Sequence, residues 1–475
     1  RLVGSEMCIR DRNIVAFDGH LYFAGVNATT PFGGDTELWS YNPQTGNAQM
    51  VADINPSGES LPANLAEFNG NLYFAATTGD GSPFAPSATE LWGFDGSTAF
   101  LAANINPGGS ASPTGMTVFN GALYFAATDN DAASVELWTF NGSTASLVAD
   151  MNTSSSFAPQ DLLVHQGKLF FTATTDATGR ELWSYDGTSI TLVNDLNPGG
   201  GDGLPGLDGI ASGTDPIGLA SFNGKLYFAG TTGNPFTGSG IELWSYDPAT
   251  GSMEIEADIN PTGDSNPNSF AEFDGKLYFA ADDGGNQANL ELWSYDPVAD
   301  IVELAADINT QPSTPFAPGG SSNPASMTAF NGKLYFSADD GDGTNIELWS
   351  FDGDSAMLEA DISPSGASTP AGFTILNGGL YFSATDGTSG IELWGITGGG
   401  GDCCPFPVAS CKDVTLQLNA SGITALDVSA INDGTIAECG LDTLITTHTL
   451  FDCNDIGMNV VCLLYTSPSP RDEKV

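Results

Sequence analysis

Residues 13–402 contain no cysteine, which excludes disulfide stapling and thiolate-held metal over most of the chain. Basic residues are nearly as scarce: residues 13–461 hold six Lys/Arg against 54 Asp/Glu. A polypeptide this acidic repels phosphate backbones and anionic lipid, so nucleic-acid binding is excluded. No apolar run approaches the roughly 18 residues of a membrane helix, and no membrane insertion is expected. Histidine is confined to His20, His165 and His448. No GxSxG elbow, HExxH pair or phosphate-cradling loop is present, and no segment carries a convincing helical period. What is present is apolar and aromatic: 41% hydrophobic residues, with 28 Phe and eight Trp, are enough for a large core.

The two ends stand apart. Residues 2–12 and 462–472 back-translate to nucleotide strings that are nearly reverse complements of one another, and the string resembles a transposon-based sequencing adapter. Residues 1–12 and 462–475 are therefore set aside as adapter-derived, in a fragment of bacterial environmental origin.

All eight tryptophans occur in the tripeptide Glu-Leu-Trp, at Trp39, Trp92, Trp138, Trp183, Trp244, Trp293, Trp349 and Trp394, spaced by 45 to 61 residues. An aromatic run precedes each, from Leu21-Tyr22-Phe23 to Leu380-Tyr381-Phe382. Residues 327–362 show one unit in full. Strands are expected at 327–330, 333–338, 347–351 and 357–362. The turns Asn331-Gly332 and Asp352-Gly353 join the first to the second and the third to the fourth, because Asn-Gly and Asp-Gly suit two-residue hairpins with positive φ. Four antiparallel strands per roughly 50 residues make a propeller blade. The expected fold is all-β: an eight-bladed β-propeller of four-stranded antiparallel blades over 13–397, plus a partial β-sandwich module. Seven outer strands are recognisable and the eighth is missing. A recurrent Glu and Trp point to architecture, since a site needs one special copy whereas a repeat supplies eight equivalent ones.

The repeat resembles the ELWxxDGT-repeat family of bacterial proteins, most closely in Glu181-Leu182-Trp183-Ser184-Tyr185-Asp186-Gly187-Thr188. The resemblance implies a propeller that is secreted or surface-attached; it implies no reaction.

Five cysteines (Cys403, Cys404, Cys411, Cys439, Cys453) crowd the region after residue 400, beyond a Gly/Cys/Pro linker at 398–410. Disulfides are favoured over zinc because no His lies at ligand spacing. Residues 411–461 resemble a truncated HYR-type immunoglobulin-like module, through Cys411-Lys412-Asp413-Val414, Ile431-Asn432-Asp433-Gly434, Cys439-Gly440 and Phe451-Asp452-Cys453. That resemblance implies a Cys439–Cys453 bridge. The pairing of Cys403, Cys404 and Cys411 is left open.

Site residues are sought in the long, variable connections on one face of the ring, opposite the short uniform turns. Phe32, Phe84, Phe157, Phe236 and Phe316 lie there, as do Asp202 and Asp208 in the largest insertion. Either they form a ligand-binding face, or the rings tuck under the loops and the acids are solvated. Ca²⁺ is considered for Asp129 and Asp131, for Asp282 and Asp283, and for Asp339, Asp340 and Asp342, against the alternative of turn-forming aspartates. His20 and His165 read as strand residues rather than bases. No catalytic residue is assigned. The expectation is a non-enzymatic extracellular or cell-surface adhesion scaffold engaging a glycan or another macromolecule. A secreted polysaccharide-active enzyme and a structural spacer in a larger adhesin stand as alternatives.

Overall fold

A computed structural model describes residues 7–9, 13–27, 35–79, 88–129, 134–151, 156–199, 201–204, 218–233, 240–284, 290–309, 320–341, 346–364, 366–388 and 390–397, and 424–425, 443–446, 450–451 and 463–466 nearer the C-terminus. The chain divides into two compact units, Arg1–Gly395 and Ile396–Val475. In the second, Thr424–Ala425 pairs with Leu450–Phe451, and Thr443–Thr446 with Leu463–Thr466. Its six cysteines, Cys439 and Cys453 among them, lie outside the described residues.

The first unit is an eight-bladed propeller of antiparallel sheets with no helix among the described residues. In blade 7 the strands are Ala325–Phe330, Lys333–Asp339, Ile346–Phe351 and Ala356–Ala360, hydrogen-bonded in that order. Asn331 and Gly332 take φ of 46° and 73° in the turn where positive φ is expected. The outer strand ends two residues earlier than the sequence suggests. The reason is chemical: the N–H of Ile362 leaves the ladder and donates instead to the carboxylate of Glu347, at 2.8 Å.

The second and third strands of each blade are buried, and the fourth faces solvent. Core clusters span neighbouring blades, such as Phe68, Tyr73 and Leu91 with Leu123, Phe125 and Phe140. The ring closes the same way. Ile14, Leu21, Phe23 and Tyr41 of blade 1 share a cluster with Tyr381 and Leu393 of blade 8, and Thr374 donates to the carbonyl of Ile14. Blade 1 has an inner edge in two pieces, Met7–Ile9 and Val15–Phe17, both paired with His20–Asn27. Blade 8 has three strands among the described residues: Ala371–Leu376, Gly379–Thr385 and Ile391–Thr397.

The Glu-Leu-Trp signature is explained residue by residue. Leucine fills the blade core, with Leu38, Leu91 and Leu182 fully buried. The indole lies across the second strand, as where Trp183 Nε1 donates to the carbonyl of Ala173. The glutamate pins the crossover to the next blade. Glu37 accepts from the N–H of Ile54 and from the N–H and hydroxyl of Ser60; Glu347 does the same with Ile362 and Ser368. Backbone groups that leave one ladder before joining the next must be satisfied, and one carboxylate does it.

Candidate functional site

With seven copies of Glu alike in this role, a site is sought where one blade differs. Blade 4 is that place. Its strands are Gln160–His165, Lys168–Thr175, Gly179–Tyr185 and Ile190–Asn194. Arg180 is the only arginine between Arg12 and Arg471, and it stands before Glu-Leu-Trp where the sister repeats carry Thr, Val, Ile or Leu. Thr172 replaces Ala or Ser of the other blades, and Asp161 replaces Asn, Gly or Ser. The three meet across three strands: Arg180 Nη1 donates to Thr172 Oγ1 at 3.1 Å, and Thr172 donates to Asp161 Oδ2 at 3.1 Å.

Local conformation places the acid. Asp161 sits at a break in the pairing register, between Gln160↔Thr172 and Leu163↔Phe170, with φ of 55°. Its carboxylate then lies against the backbone of blade 5, where a Cβ on Gly218 would fall 2.3 Å from Asp161 Oδ2. Glycine at 218 makes room for it. Burial raises the Asp161 pKa above the usual carboxylate value; the Thr172 hydrogen bond and the Arg180 charge oppose that rise. Among the described residues, Arg180's side chain uses one of its five N–H donors, on Thr172. The residue as a whole is half-buried.

The largest insertion begins beside this arginine. Asp202 Oδ1 accepts the backbone N–H of Arg180 at 2.7 Å, and the N–H groups of Gly203 and Leu204 donate to the Arg180 carbonyl. Asp202 thus pins a crossover, the job Ser110, Ser156 and Asp264 do in other blades. Asp208 lies outside the described residues.

At the far end of the same inner strand, His165 is buried between blades 4 and 5. Its Nε2 faces the carbonyl of Gly224 at 3.1 Å and its Nδ1 faces Ser221 Oγ at 2.7 Å. A carbonyl only accepts, so Nε2 carries the proton and, in the neutral ring, Nδ1 accepts from Ser221. A hydroxyl–imidazole pair backed by a neutral carbonyl has no carboxylate to stabilise an imidazolium. It serves as a latch between blades. His20 is likewise a strand residue, bonded to the Asp18 carbonyl and Asn42.

The remaining expected residues fall out as follows. Phe157 is a correction: it is fully buried, packed edge-on against Phe171 and Trp183 at 5.9 and 5.3 Å, and offers a ligand no surface. Phe32, Phe84, Phe236, Phe316, Asp131 and Asp342 lie outside the described residues. Asp282 and Asp339 each accept, through Oδ1, the N–H two residues on, at Gly284 and Gly341, both at 2.8 Å. These are turn-forming aspartates. Asp129, Asp283 and Asp340 join no group of three metal-ligating side chains among the described residues. The one such group is Asp35, Glu37 and Asp53 in blade 1. Both oxygens of Glu37 already accept hydrogen bonds, so little is left for an ion. Burial, then Asp53 and Glu59, raise the Asp35 pKa.

No family model matches the sequence, and no curated protein matches it. Similar folds occur among solved structures. A prolyl endopeptidase is 12% identical at a TM-score of 0.45, over 82% of this chain and 50% of its own. A puromycin-hydrolyzing peptidase of Mycobacterium tuberculosis is 11% identical at 0.43, over 79% and 58%. The β-propeller domain of the trilobed protease from Pyrococcus furiosus is 8% identical at 0.42, over 75% and 98%. The chain spans 50% and 58% of the length of the first two. These are hydrolases and not adhesion proteins, and the expectation of a non-enzymatic adhesion scaffold is withdrawn on that finding. Likeness at such scores assigns this chain no activity; its own residues must supply the argument.

Proposed function

We propose that the ring is the substrate-engaging part of a larger peptide-hydrolysing protein, contacting its substrate at the blade 4–blade 5 junction, with the bond-breaking groups outside the ring. One observation carries this reading: the single arginine of residues 13–397, held by Thr172 and offset by Asp161, sits where the repeat symmetry is broken and the largest insertion departs. Its N–H donors beyond the Thr172 contact suit a peptide carbonyl or terminal carboxylate. The Asp161 charge keeps the junction from acting as a bare anion trap.

The test uses the full-length protein and a set of fluorescence-quenched peptides. Arg180→Gln is expected to raise KM about tenfold with kcat unchanged, the signature of lost ground-state contact. Lys333→Gln, on the opposite turn face, leaves both constants alone. Absence of peptide hydrolysis, or an Arg180→Gln enzyme equal to the parent, overturns the proposal.

Membership of the ELWxxDGT-repeat family, secretion, an HYR-type module, a Cys439–Cys453 bridge and adapter-derived ends form part of the same proposal. The Glu-Leu-Trp spacing, the confinement of the cysteines and the complementary back-translations support them. Peptide mapping without reductant reads the bridge directly, and a free thiol at Cys439 would remove it.

A further inference from the structure

Arg180 is a cation set among fixed anions. Its guanidinium reaches Asp161 through a single hydroxyl: Nη1 donates to Thr172 Oγ1 at 3.1 Å, and Thr172 donates to Asp161 Oδ2 at 3.1 Å. Thr172 is only 3% exposed, so water does not compete for that hydroxyl, and its one proton is committed to the carboxylate. A second carboxylate stands on the backbone of the same residue, where Asp202 Oδ1 accepts the Arg180 N–H at 2.7 Å.

The charge around this group is one-sided. The other basic residues of 13–397 are Lys168, Lys225, Lys276 and Lys333, and each opens the second strand of its blade, beside the short turns. Arg180 lies at the opposite end, paired with Thr174 near the close of that strand. The outer strands of blades 4 to 7 end there too, and each is followed at once by an aspartate: Asp195, Asp258, Asp307 and Asp361. A ligand that brings a carboxylate to Arg180 meets two neighbouring carboxylates within a negative field. A ligand that brings an uncharged carbonyl meets the N–H donors without that repulsion. Selectivity of this kind comes from a built-in repulsive element as much as from the attractive one.

We propose that Asp161 sets the substrate class of this junction: Arg180 takes an uncharged main-chain carbonyl, within a peptide or at a blocked C-terminus, and a free C-terminal carboxylate is turned away. The inference rests on the reading of the junction as a peptide-contacting surface. Asp161 acts through Arg180, which makes it a positioning residue that determines specificity. The substrate is held along its length rather than by its tail.

The experiment uses the full-length protein at pH 8 and one short fluorescence-quenched peptide in two forms, ending in an amide or in a free carboxylate. The parent is expected to show a KM about tenfold lower for the amide, with equal kcat. Asp161→Asn preserves the local shape, since Asn64 holds the same register break of blade 2 at φ of 55°. It is expected to bring the two KM values within about twofold of each other. Asp202→Asn, which keeps the acceptor oxygen, moves the ratio the same way by a smaller factor, and it decides the matter if Asp161→Asn misfolds. An amide KM that Arg180→Gln leaves unchanged sinks the reading of the junction, and this inference with it. A raised amide KM in Arg180→Gln, combined with equal parent KM values for the two forms or with a ratio that neither aspartate variant moves, overturns the inference alone.

Discussion

The hydroxyl of Ser60 donates to Glu37 Oε2 at 2.7 Å across 23 residues of sequence, and both side chains are fully shielded from solvent. The same contact recurs as Ser322–Glu291 and Ser368–Glu347, each at 2.6 Å. Removing one such acceptor strands two N–H groups and a hydroxyl. Glu347→Ala is therefore expected to cost about 3 kcal/mol or more, and Glu347→Gln, which keeps one acceptor oxygen, about 1–2 kcal/mol. Urea titration of both variants measures the difference. Equal stability of the alanine variant and parent would sink the pinning role.

The same glutamates set the pH response. Burial pushes the Glu181 and Glu291 carboxyls up to about 7, against hydrogen bonds that act the other way. Between the ordinary glutamate value and 7 the folded protein binds more protons than the unfolded chain, so stability falls as pH rises through that window. Melting temperature is expected to be higher at pH 5 than at pH 8. Glu181→Gln should flatten the slope, and an unchanged slope would contradict the assignment.

Phe157 tests core against surface. Its ring sits between Phe171 and Trp183, so Phe157→Ala opens a cavity and should cost roughly 3–5 kcal/mol. Chemical denaturation measures it, and a loss under 1 kcal/mol would return the residue to the surface.

Asp161 and Gly218 should couple across the blade junction. Gly218→Ala drives a methyl into the carboxylate and is expected to cost about 1–3 kcal/mol. Asp161→Gly removes the clash while suiting the positive φ. The double variant should therefore be more stable than the summed single effects by about 1 kcal/mol. Strict additivity in a double-mutant cycle would show that the two do not touch.

What could be read in advance divides along physical lines. Repetition made the blades legible: eight Glu-Leu-Trp tripeptides and their Asn-Gly or Asp-Gly turns fix period, strand order and turn type. The early end of the outer strand at Ala360 was hidden, because the Ile362 N–H turns to a carboxylate 15 residues away. Phe157 looked exposed by its company, since a loop composition does not reveal a ring tucked under its own crossover. Arg180 carried a readable signal as the lone arginine of residues 13–397. Its partner Asp161 did not, because the acid is one of 58 and only a register break places it.

The glutamate pin also bears on how such a ring can change over time. From Glu to the donating N–H at the end of the outer strand is always 15 or 17 residues, although the tryptophans are spaced by 45 to 61. Each repeat thus brings its own fastening to its neighbour, and length varies only where no fastening depends on it. A duplicated or deleted unit would arrive or leave with its joint intact. Gain and loss of whole blades, followed by divergence of a single copy, is a route by which blade 4 could acquire its charges while the other seven kept the ring together.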